Sequence, residues 1–539
     1  MLRQLLFVCL WFTGLCGLFA QDILVSGTIT QNTTWTSNNT YLLRGFVYVK
    51  NGATLTIEPG TLIKGERSSK GALIVTKSGK IIADGTRQRP IIFTSNQPDG
   101  DRSYGDWGGV ILLGEAPTNC IGNDCVVEGG VDNAAGDGRF GGNNPHHSSG
   151  ILRYVRIEFA GIAFQPDNEI NGLTMGGVGD STIIEYIQVS YSGDDAFEWF
   201  GGTVNCKYLV AYNTWDDDLD TDFGYAGRVQ FAFGLRDPGV ADISQSNGIE
   251  SDNSKAGLAL PGAPYTTTIF SNVTLLGPKR TPTTQINGLF NAGAHIRRNS
   301  KQSVYNSVIT GYPLTGYLLD GEDCESHALA DELNFRDNVL AGNTNGFQLI
   351  TYNGAPTLNI TNWMNTHRDT VLTNLSDLQL VDPFNAQAPN PLPQAGSRLL
   401  YGANFTSPQL ANDTVFEVVS FRGAFGTQNW MEGWTNWDPI NNLRGTTGRT
   451  ALQKLPFTLY PNPASEQATV QFASLKPGEQ QLSLMDVQGR VVWQTRFTAR
   501  ESIVELQFPV SQLADGLYLV QVRNEGQQGS QRLLVQHLR

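Results

Sequence analysis

Two stretches of the chain repeat each other and decide its fold. They read Ile184-Glu-Tyr-Ile-Gln-Val-Ser-Tyr-Ser-Gly-Asp-Asp195 and Lys207-Tyr-Leu-Val-Ala-Tyr-Asn-Thr-Trp-Asp-Asp-Asp218. They align without a gap when residue 184 is placed on residue 207, an offset of 23, and residues 152–161 carry the same pattern earlier in the chain. Alternation of apolar and polar residues predicts a β-strand, and its recurrence predicts stacked structural repeats.

Shorter β-rich pieces extend this pattern in both directions. They are residues 52–60, 71–75, 79–83, 90–94, 272–277, 306–311 and 337–342. Strand-rich units of roughly 20 to 34 residues stack as a solenoid, whereas leucine-rich and ankyrin arrays need helices and propellers need longer blades. The sequence therefore predicts an all-β protein, in which residues 21–350 form a right-handed parallel β-helix (solenoid) ahead of a small C-terminal Ig-like β-sandwich.

Composition and the N-terminus indicate an exported protein. The chain has 539 residues, 59 of them Gly, with 16% charged residues and a net charge of −13. This acidic balance argues against a nucleic-acid binder, and the low charge argues against a coiled coil. Arg3 precedes an apolar run at residues 5–19, so we expect a signal peptide over residues 1–20 with cleavage after Ala20. No later run is apolar over about 18 residues, so we expect no transmembrane segment in the mature chain.

The region after the repeats changes character twice. Residues 351–444 are irregular and include Trp430, Trp434 and Trp437, which we expect to cap the open end of the β-helix. Residues 445–455 are the predicted linker. Residues 456–539 carry seven acidic and seven basic residues, so the excess negative charge lies before them. Short alternating segments separated by turn residues predict a β-sandwich for this last part.

Three motifs in the last part resemble a known export signal. They are Tyr460-Pro-Asn-Pro-Ala464, Asp486-Val-Gln-Gly-Arg490 and Leu513-Ala-Asp-Gly-Leu-Tyr-Leu519. Their order resembles the type A C-terminal sorting domain of the type IX secretion system of Bacteroidetes, over residues 456–539. The resemblance implies recognition by that machinery and a location that is secreted or attached to the outer cell surface. The alternative is a carbohydrate-binding Ig-like module.

The repeats also resemble a secreted bacterial β-helix family of pectin-lyase-like architecture. The resemblance rests on residues 52–65, the Asp194 and Asp218 repeat, residues 247–253, residues 295–299 and the Trp-rich segment that ends at residue 437. It covers about residues 25–440. It supports the fold and implies no particular activity.

The strongest candidate site is acidic. Successive repeats of a β-helix lie about 4.8 Å apart, which would place Asp194 over Asp217 and Asp195 over Asp218. Each such pair of like charges costs on the order of 3 kcal/mol at an effective dielectric near 20. A bound cation would offset this repulsion, and oxygen ligands on flexible loops suit Ca²⁺. The predicted metal ligands are Asp194, Asp195, Glu198, Asp217, Asp218, Asp220 and Asp222.

Alternatives to a cation remain open. The same acids could cap turns on a solvated face, or their carboxyl pKa values could be raised. An EF-hand is excluded because Gly224 comes one residue late and Val229 occupies its twelfth position. Asp242, Glu250 and Asp252 form a second, weaker acidic cluster.

Aromatic and cysteine residues add further candidates. Trp199, Trp215 and Tyr225 flank the acids and could bind a sugar, or they could belong to the solenoid core. Cys120 and Cys125 are predicted to form a disulfide within one loop. Cys206 and Cys324 could pair only if the fold brings them together.

The function expected from the sequence is binding of a polysaccharide or extracellular matrix, with possible help from calcium. An alternative is a polysaccharide lyase or glycoside hydrolase of β-helix fold. His295, Arg297 and Arg298 are its clustered basic candidates, for which a structural role is the competing interpretation. A third alternative is a structural or adhesive surface protein.

Overall fold

The structure is a computed structural model that covers most of the chain. It describes residues 22–165, 168–254, 263–386, 388–443, 453–454, 457–473, 478–486, 491–499, 503–523 and 527–537. The chain forms two compact units, and the boundary between them falls after Gly445. The predicted signal peptide and most of the predicted linker lie outside the described residues.

The first unit consists of short strands with two short helices, α1 (Glu322–Leu329) and α2 (Ile360–Thr366). Its strands are β1 (Asp22–Ile29), β2 (Thr33–Trp35), β3 (Thr40–Val49), β4 (Thr54–Ile57), β5 (Leu62–Gly65), β6 (Ala72–Val75), β7 (Lys80–Asp84), β8 (Ile91–Ser95), β9 (Gly109–Leu113), β10 (Cys125–Val126), β11 (Arg139–Phe140), β12 (Gly150–Glu158), β13 (Ala163–Gln165), β14 (Asn168–Glu169), β15 (Leu173–Gly176), β16 (Ile183–Ser190), β17 (Phe197–Phe200), β18 (Cys206–Tyr212), β19 (Leu219–Asp222), β20 (Arg228–Leu235), β21 (Ile249–Ser251), β22 (Ile269–Ser271), β23 (Thr274–Leu276), β24 (Ala294–Ile296), β25 (Ser303–Tyr305), β26 (Val308–Thr310), β27 (Thr315–Asp320), β28 (Phe335–Arg336), β29 (Val339–Ala341), β30 (Asn345–Ile350), β31 (Thr370–Leu372), β32 (Leu380–Asp382) and β33 (Asn390–Pro393).

Three parallel ladders of these strands form the β-helix, and the longer strands turn a corner and contribute to two of them. Sheet A contains β1, β3, β5, β8, β12, β16, β18, β20, β23, β26, β29 and β31. Sheet B contains β1, β3, β6, β9, β15, β17, β19, β21, β24, β27 and β30. Sheet C contains β2, β4, β7, β12, β16, β18, β20, β22, β25 and β28. The predicted parallel β-helix is confirmed.

A continuous apolar core fills the space between the three sheets. On sheet A, Val155, Ile187, Leu209 and Ala232 lie one above another and are at most 1% exposed. Stacking therefore buries a core that no single repeat could close, as in other solenoids.

The stacking register differs from the alignment expected from the sequence. The Asp217 backbone N–H donates to Asp195 Oδ1 at 2.7 Å across 22 residues, and Glu198 lies opposite Asp220. The expected 23-residue offset is wrong by one residue. Side chains of a strand alternate between faces, so a one-residue change of offset stacks each side chain on one that the expected alignment placed on the opposite face.

Aromatic residues mark the corner between sheets C and A. Tyr154, Tyr186, Tyr208 and Phe231 adopt positive φ angles of 48°, 56°, 60° and 61°. Their rings stack with centroid distances of 4.4, 4.3 and 5.1 Å. Such backbone conformations are unusual for bulky residues, and the stacked rings compensate for their cost.

The Trp-rich segment runs along the side of the β-helix rather than over its end. We call residues 398–443 the strap. Trp434 is fully buried and packs edge-on against Tyr154 and Tyr186, while Trp430 packs against Tyr208. The expectation that Trp430, Trp434 and Trp437 cap the open end is therefore wrong. Their role is to cover the aromatic corner, which would otherwise expose a row of rings.

Helix α2 takes the end position that the tryptophans were expected to occupy. Trp363 and Met364 of this helix are buried against the core beside the last strands. Trp363 stacks near Tyr317 with centroids 6.3 Å apart. The irregular region 351–444 thus splits into an end cover and a lateral strap.

One side chain fastens the strap. The Gln188 amide donates to the Asn436 carbonyl and accepts from the Asn436 N–H, both at 2.8 Å, and Gln188 is fully buried. We expect Gln188→Ala to cost about 1–3 kcal/mol, because it leaves two buried backbone groups unpaired. Hydrogen–deuterium exchange should show faster exchange around Asn436. The exposed Gln285→Ala is the control, and unchanged exchange in Gln188→Ala would contradict this role.

The cysteines fall into two classes. Cys120 and Cys125 form a disulfide in the loop that covers the first half of sheet B. Cys206 lies in the core on β18 and Cys324 on α1, and both are buried and free. The possible pairing of Cys206 with Cys324 is therefore not seen.

The second unit contains β34 (Gln453–Lys454), β35 (Phe457–Tyr460), β36 (Gln467–Ala473), β37 (Gly478–Met485), β38 (Val491–Ala499), β39 (Ile503–Pro509), β40 (Gly516–Arg523) and β41 (Gln527–Val535). They form a five-stranded sheet, β34-β41-β40-β37-β38, and a three-stranded sheet, β35-β36-β39. Val470, Leu484 and Phe508 contribute to their common core. Gln453 and Lys454 lie in the predicted linker but pair with β41.

Candidate functional site

The outer face of sheet B is apolar at its beginning and acidic further along. On β6 and β9, Ile74 and Ile111 point outward and are covered by Val131 and Phe140 of the disulfide loop. Beyond this cover, Glu198 of β17 lies opposite Asp220 of β19. The edge of the loop therefore marks where a strip of charged side chains begins.

The acidic strip continues over the next strands. Asp220 lies opposite Glu250 of β21, and Glu250 lies opposite His295 of β24. A position that points outward on one strand points outward on its parallel neighbours, so these side chains share one face.

A second row of side chains lies at the turn between sheets A and B. Asn171 Oδ1 accepts from the Asp195 N–H at 3.1 Å, Asp195 Oδ1 from the Asp217 N–H at 2.7 Å, and Asp217 Oδ1 from the Asn247 N–H. Asn247 Oδ1 accepts from the Ala292 N–H at 3.1 Å. Each carboxyl or amide oxygen thus accepts a hydrogen bond from a backbone N–H of the next repeat. This is the turn-capping role that the sequence left open.

Five carboxyl groups in and beside these rows form two overlapping groups of three. One ligand oxygen from each of Asp194, Asp195 and Asp216 lies within 4.8 Å of the others, and the same holds for Asp195, Glu198 and Asp220. We call these five residues the acidic cluster. Nowhere in the part of the chain that the structure describes does a lysine or arginine form an ion pair with them.

Burial and neighbouring charges raise the carboxyl pKa values of the acidic cluster. Burial is the largest cause that raises the pKa of Asp195, Glu198 and Asp220 well above its usual range, and neighbouring carboxylates raise it further. The same two causes act on Asp194, and burial raises the pKa of Asp216. Without a cation, these groups are therefore more stable as neutral acids.

Several buried oxygen atoms in and beside the cluster lack a hydrogen-bond partner among the described residues. Asp216 Oδ1 and Asp220 Oδ1 are buried without a hydrogen-bond partner among the described residues. The same is true of Thr174 Oγ1, whose side chain is on the same face as Glu198 and which is 1% exposed. Buried polar atoms are normally paired, so these oxygens point to a missing partner.

Three predicted metal ligands lie elsewhere. Asp218 points inward and forms a buried ion pair with Arg236, with Oδ1 2.9 Å from Nη1. Asp217 Oδ1 accepts from the Asn247 N–H in the turn, and Asp222 Oδ1 accepts from the Phe223 N–H at 2.6 Å. The 22-residue register accounts for Asp218, because it places Asp217, not Asp218, over Asp195.

Two of the three predicted sugar-binding aromatics belong to the core. Trp199 and Tyr225 are fully buried and stack with centroids 5.4 Å apart. Their assignment to ligand binding is wrong, since they point inward on sheet B and its adjoining turn. Trp215 remains accessible, with 39% exposure, and packs edge-on against Tyr104 beside Asp216.

The C-terminal half of the strip is neutralised by basic groups. Arg297 forms ion pairs with Glu250 and Asp252, and Arg298 pairs with Asp252. His295 Nε2 lies 2.9 Å from Asp320 Oδ2. The sequence offered no sign that these bases lie near acids, because loops of unequal length separate their strands.

The raised pKa values extend into this neutralised half. Burial raises the pKa of Glu250 to about 8, although Arg297 lowers it, and burial raises the pKa of Asp222 to about 8. Burial lowers the pKa of His295, and the hydrogen bond that the imidazole donates to Asp320 opposes this shift. Burial therefore shifts the pKa of the Glu250 carboxyl and the pKa of the His295 imidazole toward the neutral forms, while the ion pair with Arg297 opposes this shift at Glu250.

Comparison with known families agrees with the architecture. Residues 27–377 match the pectate-lyase-like β-helix domain. The chain belongs to this family. Residues 458–536 match the secretion system C-terminal sorting domain. No curated protein and no solved structure matches the chain significantly.

The sorting domain assigns this pectate-lyase-like β-helix protein to an export route. A domain of this kind directs a protein to the type IX secretion machinery, so the protein is exported and is secreted or displayed at the cell surface. None of the helices among the described residues is long and apolar enough to cross a membrane.

Proposed function

We propose that this exported β-helix binds an acidic polysaccharide on the outer face of sheet B, with Ca²⁺ held by the acidic cluster. The observation that carries the proposal is the convergence of Asp194, Asp195, Glu198, Asp216 and Asp220 without a basic partner in the described chain. Family membership supports a polysaccharide-related role.

Charge and ligand chemistry favour calcium. Carboxylates this close repel one another strongly, and a divalent cation removes the repulsion directly. Ca²⁺ accepts six to eight oxygens in irregular arrangements, whereas Mg²⁺ demands near-octahedral geometry. The unpartnered Thr174 hydroxyl next to Glu198 offers a further oxygen or a hydrogen bond to a bound water.

The cation also provides the link to a glycan. An acidic face would repel an acidic polymer, but a bound Ca²⁺ reduces the local negative charge and can share a sugar carboxylate with the protein. Trp215, exposed beside Asp216, offers a ring face at the edge of the same cluster. Trp215 is thus the one predicted aromatic ligand that stays in the proposal.

Calcium titration by calorimetry tests the proposed ligands. We expect Glu198→Gln to weaken calcium affinity by about tenfold or more, because it removes a charged ligand from a small set. The exposed Asp101→Asn, which removes the same kind of charge elsewhere, should leave affinity unchanged. Equal calcium binding by wild type and Glu198→Gln would contradict the site.

A polysaccharide lyase or hydrolase is the second candidate. It is favoured by the position of Glu250 opposite His295, where burial raises the pKa of the carboxyl and lowers the pKa of the imidazole, since such chemistry needs one group to give a proton and another to take it. Size-exclusion chromatography of polymers incubated with the protein distinguishes the candidates. Calcium-dependent shortening supports an enzyme, co-elution at unchanged length supports a binder, and neither result favours a structural or adhesive surface protein.

A further inference from the structure

A separate pocket lies at the C-terminal end of the charged strip. It encloses about 370 Å³, and its walls include Arg298, Asn299, Asp320, Asp323 and Tyr352. Asp320 ends β27, which is three strands beyond Asp220 on sheet B. Three strand spacings separate β27 from β19 by about 14 Å, a distance that a short oligosaccharide spans.

Tyr352 forms an exposed but fixed wall of this pocket. It is 69% exposed, yet its hydroxyl donates to Asp320 Oδ1 at 2.6 Å and its N–H donates to Glu322 Oε1 at 2.5 Å. Asp320 is itself held by His295. An isolated exposed tyrosine needs no explanation, but one anchored at both ends offers a flat apolar face whose position is set before a ligand arrives.

Arg298 lines the same pocket as Tyr352. Its Nη1 pairs with buried Asp252, while its Nε and Nη2 have no hydrogen-bond partner in the described part of the chain. Arg298 and Asn299 are consecutive non-glycine residues at φ 48° and 69°. Positive φ angles are uncommon for such residues, and strain of this kind persists where surrounding contacts enforce it.

We propose that this pocket binds one sugar ring of the polysaccharide, which deepens the proposed function and rests on it. Tyr352 stacks on the apolar face of the ring. Arg298 donates to its acidic group, and the exposed carboxylate of Asp323 accepts from its hydroxyl groups. An aromatic face with a few convergent polar groups is the usual composition of a small-ligand site. The glycan then lies along sheet B between the acidic cluster and Tyr352.

Binding of a glycan panel to the secreted protein tests this subsite. The probes are polygalacturonate, alginate, chondroitin sulfate, hyaluronate and neutral xylan fragments, each with calcium present. We expect Tyr352→Ala to weaken binding of the preferred glycan by about tenfold or more, with unchanged calcium affinity. Tyr352→Phe keeps the ring and should bind nearly as well as wild type.

A matched aromatic control is available on the strap. Tyr401 is 70% exposed, so Tyr401→Ala removes a similar ring away from the pocket and should not change binding. The subsite is overturned if Tyr352→Ala binds like wild type, or if Tyr401→Ala weakens binding equally. If either of these results is found while Glu198→Gln loses glycan binding, the subsite is wrong and the proposed function stands. If wild type binds no glycan, the proposed function fails with it.

Discussion

In the absence of calcium, the β-helix is expected to lose stability as pH rises from about 4 to about 8. Burial raises the pKa of Asp222 and Glu250 to about 8, and raises the pKa of Asp195, Glu198 and Asp220 well above its usual range. The unfolded chain releases these protons near pH 4, whereas the folded chain keeps them.

The sign follows from proton binding. The folded state binds more protons between these pH values, so the stabilising contribution is complete below about pH 4 and lost as pH rises through the folded pKa. Each such carboxyl contributes a slope of about 1.4 kcal/mol per pH unit while it is protonated in the folded state alone. Calcium is expected to remove most of this loss, because it takes the place of the protons.

Urea unfolding at pH 5 and pH 8, with and without calcium, measures this effect. The calcium-free protein should have a clearly lower midpoint at pH 8, and calcium should raise that midpoint more than magnesium does. Glu198→Gln should flatten the calcium-free slope, since an amide does not titrate. A calcium-free midpoint that stays constant or rises with pH would contradict the electrostatic account of the cluster.

Arg236→Met is expected to destabilise the β-helix by about 3–5 kcal/mol, because it leaves the Asp218 carboxylate buried without its charge partner. The Asp218–Arg236 side chains are both fully buried, and Arg236 also lies over the Phe290 ring at 5.2 Å. Among the described residues, the other side-chain donor to Asp218 is Thr214 Oγ1, at 3.3 Å, which is too weak to hold a buried charge.

A double-mutant cycle separates the ion pair from simple loss of packing. Asp218→Asn combined with Arg236→Met removes both charges, so the double variant should be more stable than Arg236→Met alone. Calorimetry on Asp218→Asn adds a second readout. Its calcium affinity should equal that of wild type, since Asp218 points into the core. A double variant no more stable than Arg236→Met would show that charge burial is not the cause.

Local pattern was sufficient for the fold class and the export route. Strands such as β16 and β18 show an alternation of apolar and polar residues that is visible in the sequence. The motifs that begin at Tyr460 consist of residues that are close together in the chain. The acidic cluster was also visible, because Asp194, Asp195, Glu198 and Asp220 fall within two neighbouring repeats. Features set by nearby residues were thus predictable.

Features that depend on contacts between residues far apart in the sequence could not be predicted. The strap meets residues more than two hundred positions earlier, as Asn436 does with Gln188. Arg297 meets Glu250 and Asp252 across a loop whose length no repeat fixes. No pattern along the chain reports such contacts, because an irregular segment of the same composition could equally lie over the end of the solenoid.

The sequence by itself determined that this protein is an exported β-helix with a concentration of acids in its central repeats. Only the tertiary structure decided which acids face outward together, that Asp218 turns inward to Arg236, and that Trp199 and Tyr225 fill the core. The physical reason is the two-residue period of a β-strand. A register of 22 rather than 23 residues moves every side chain to the opposite face, and core packing between sheets, not the repeat itself, selects that register.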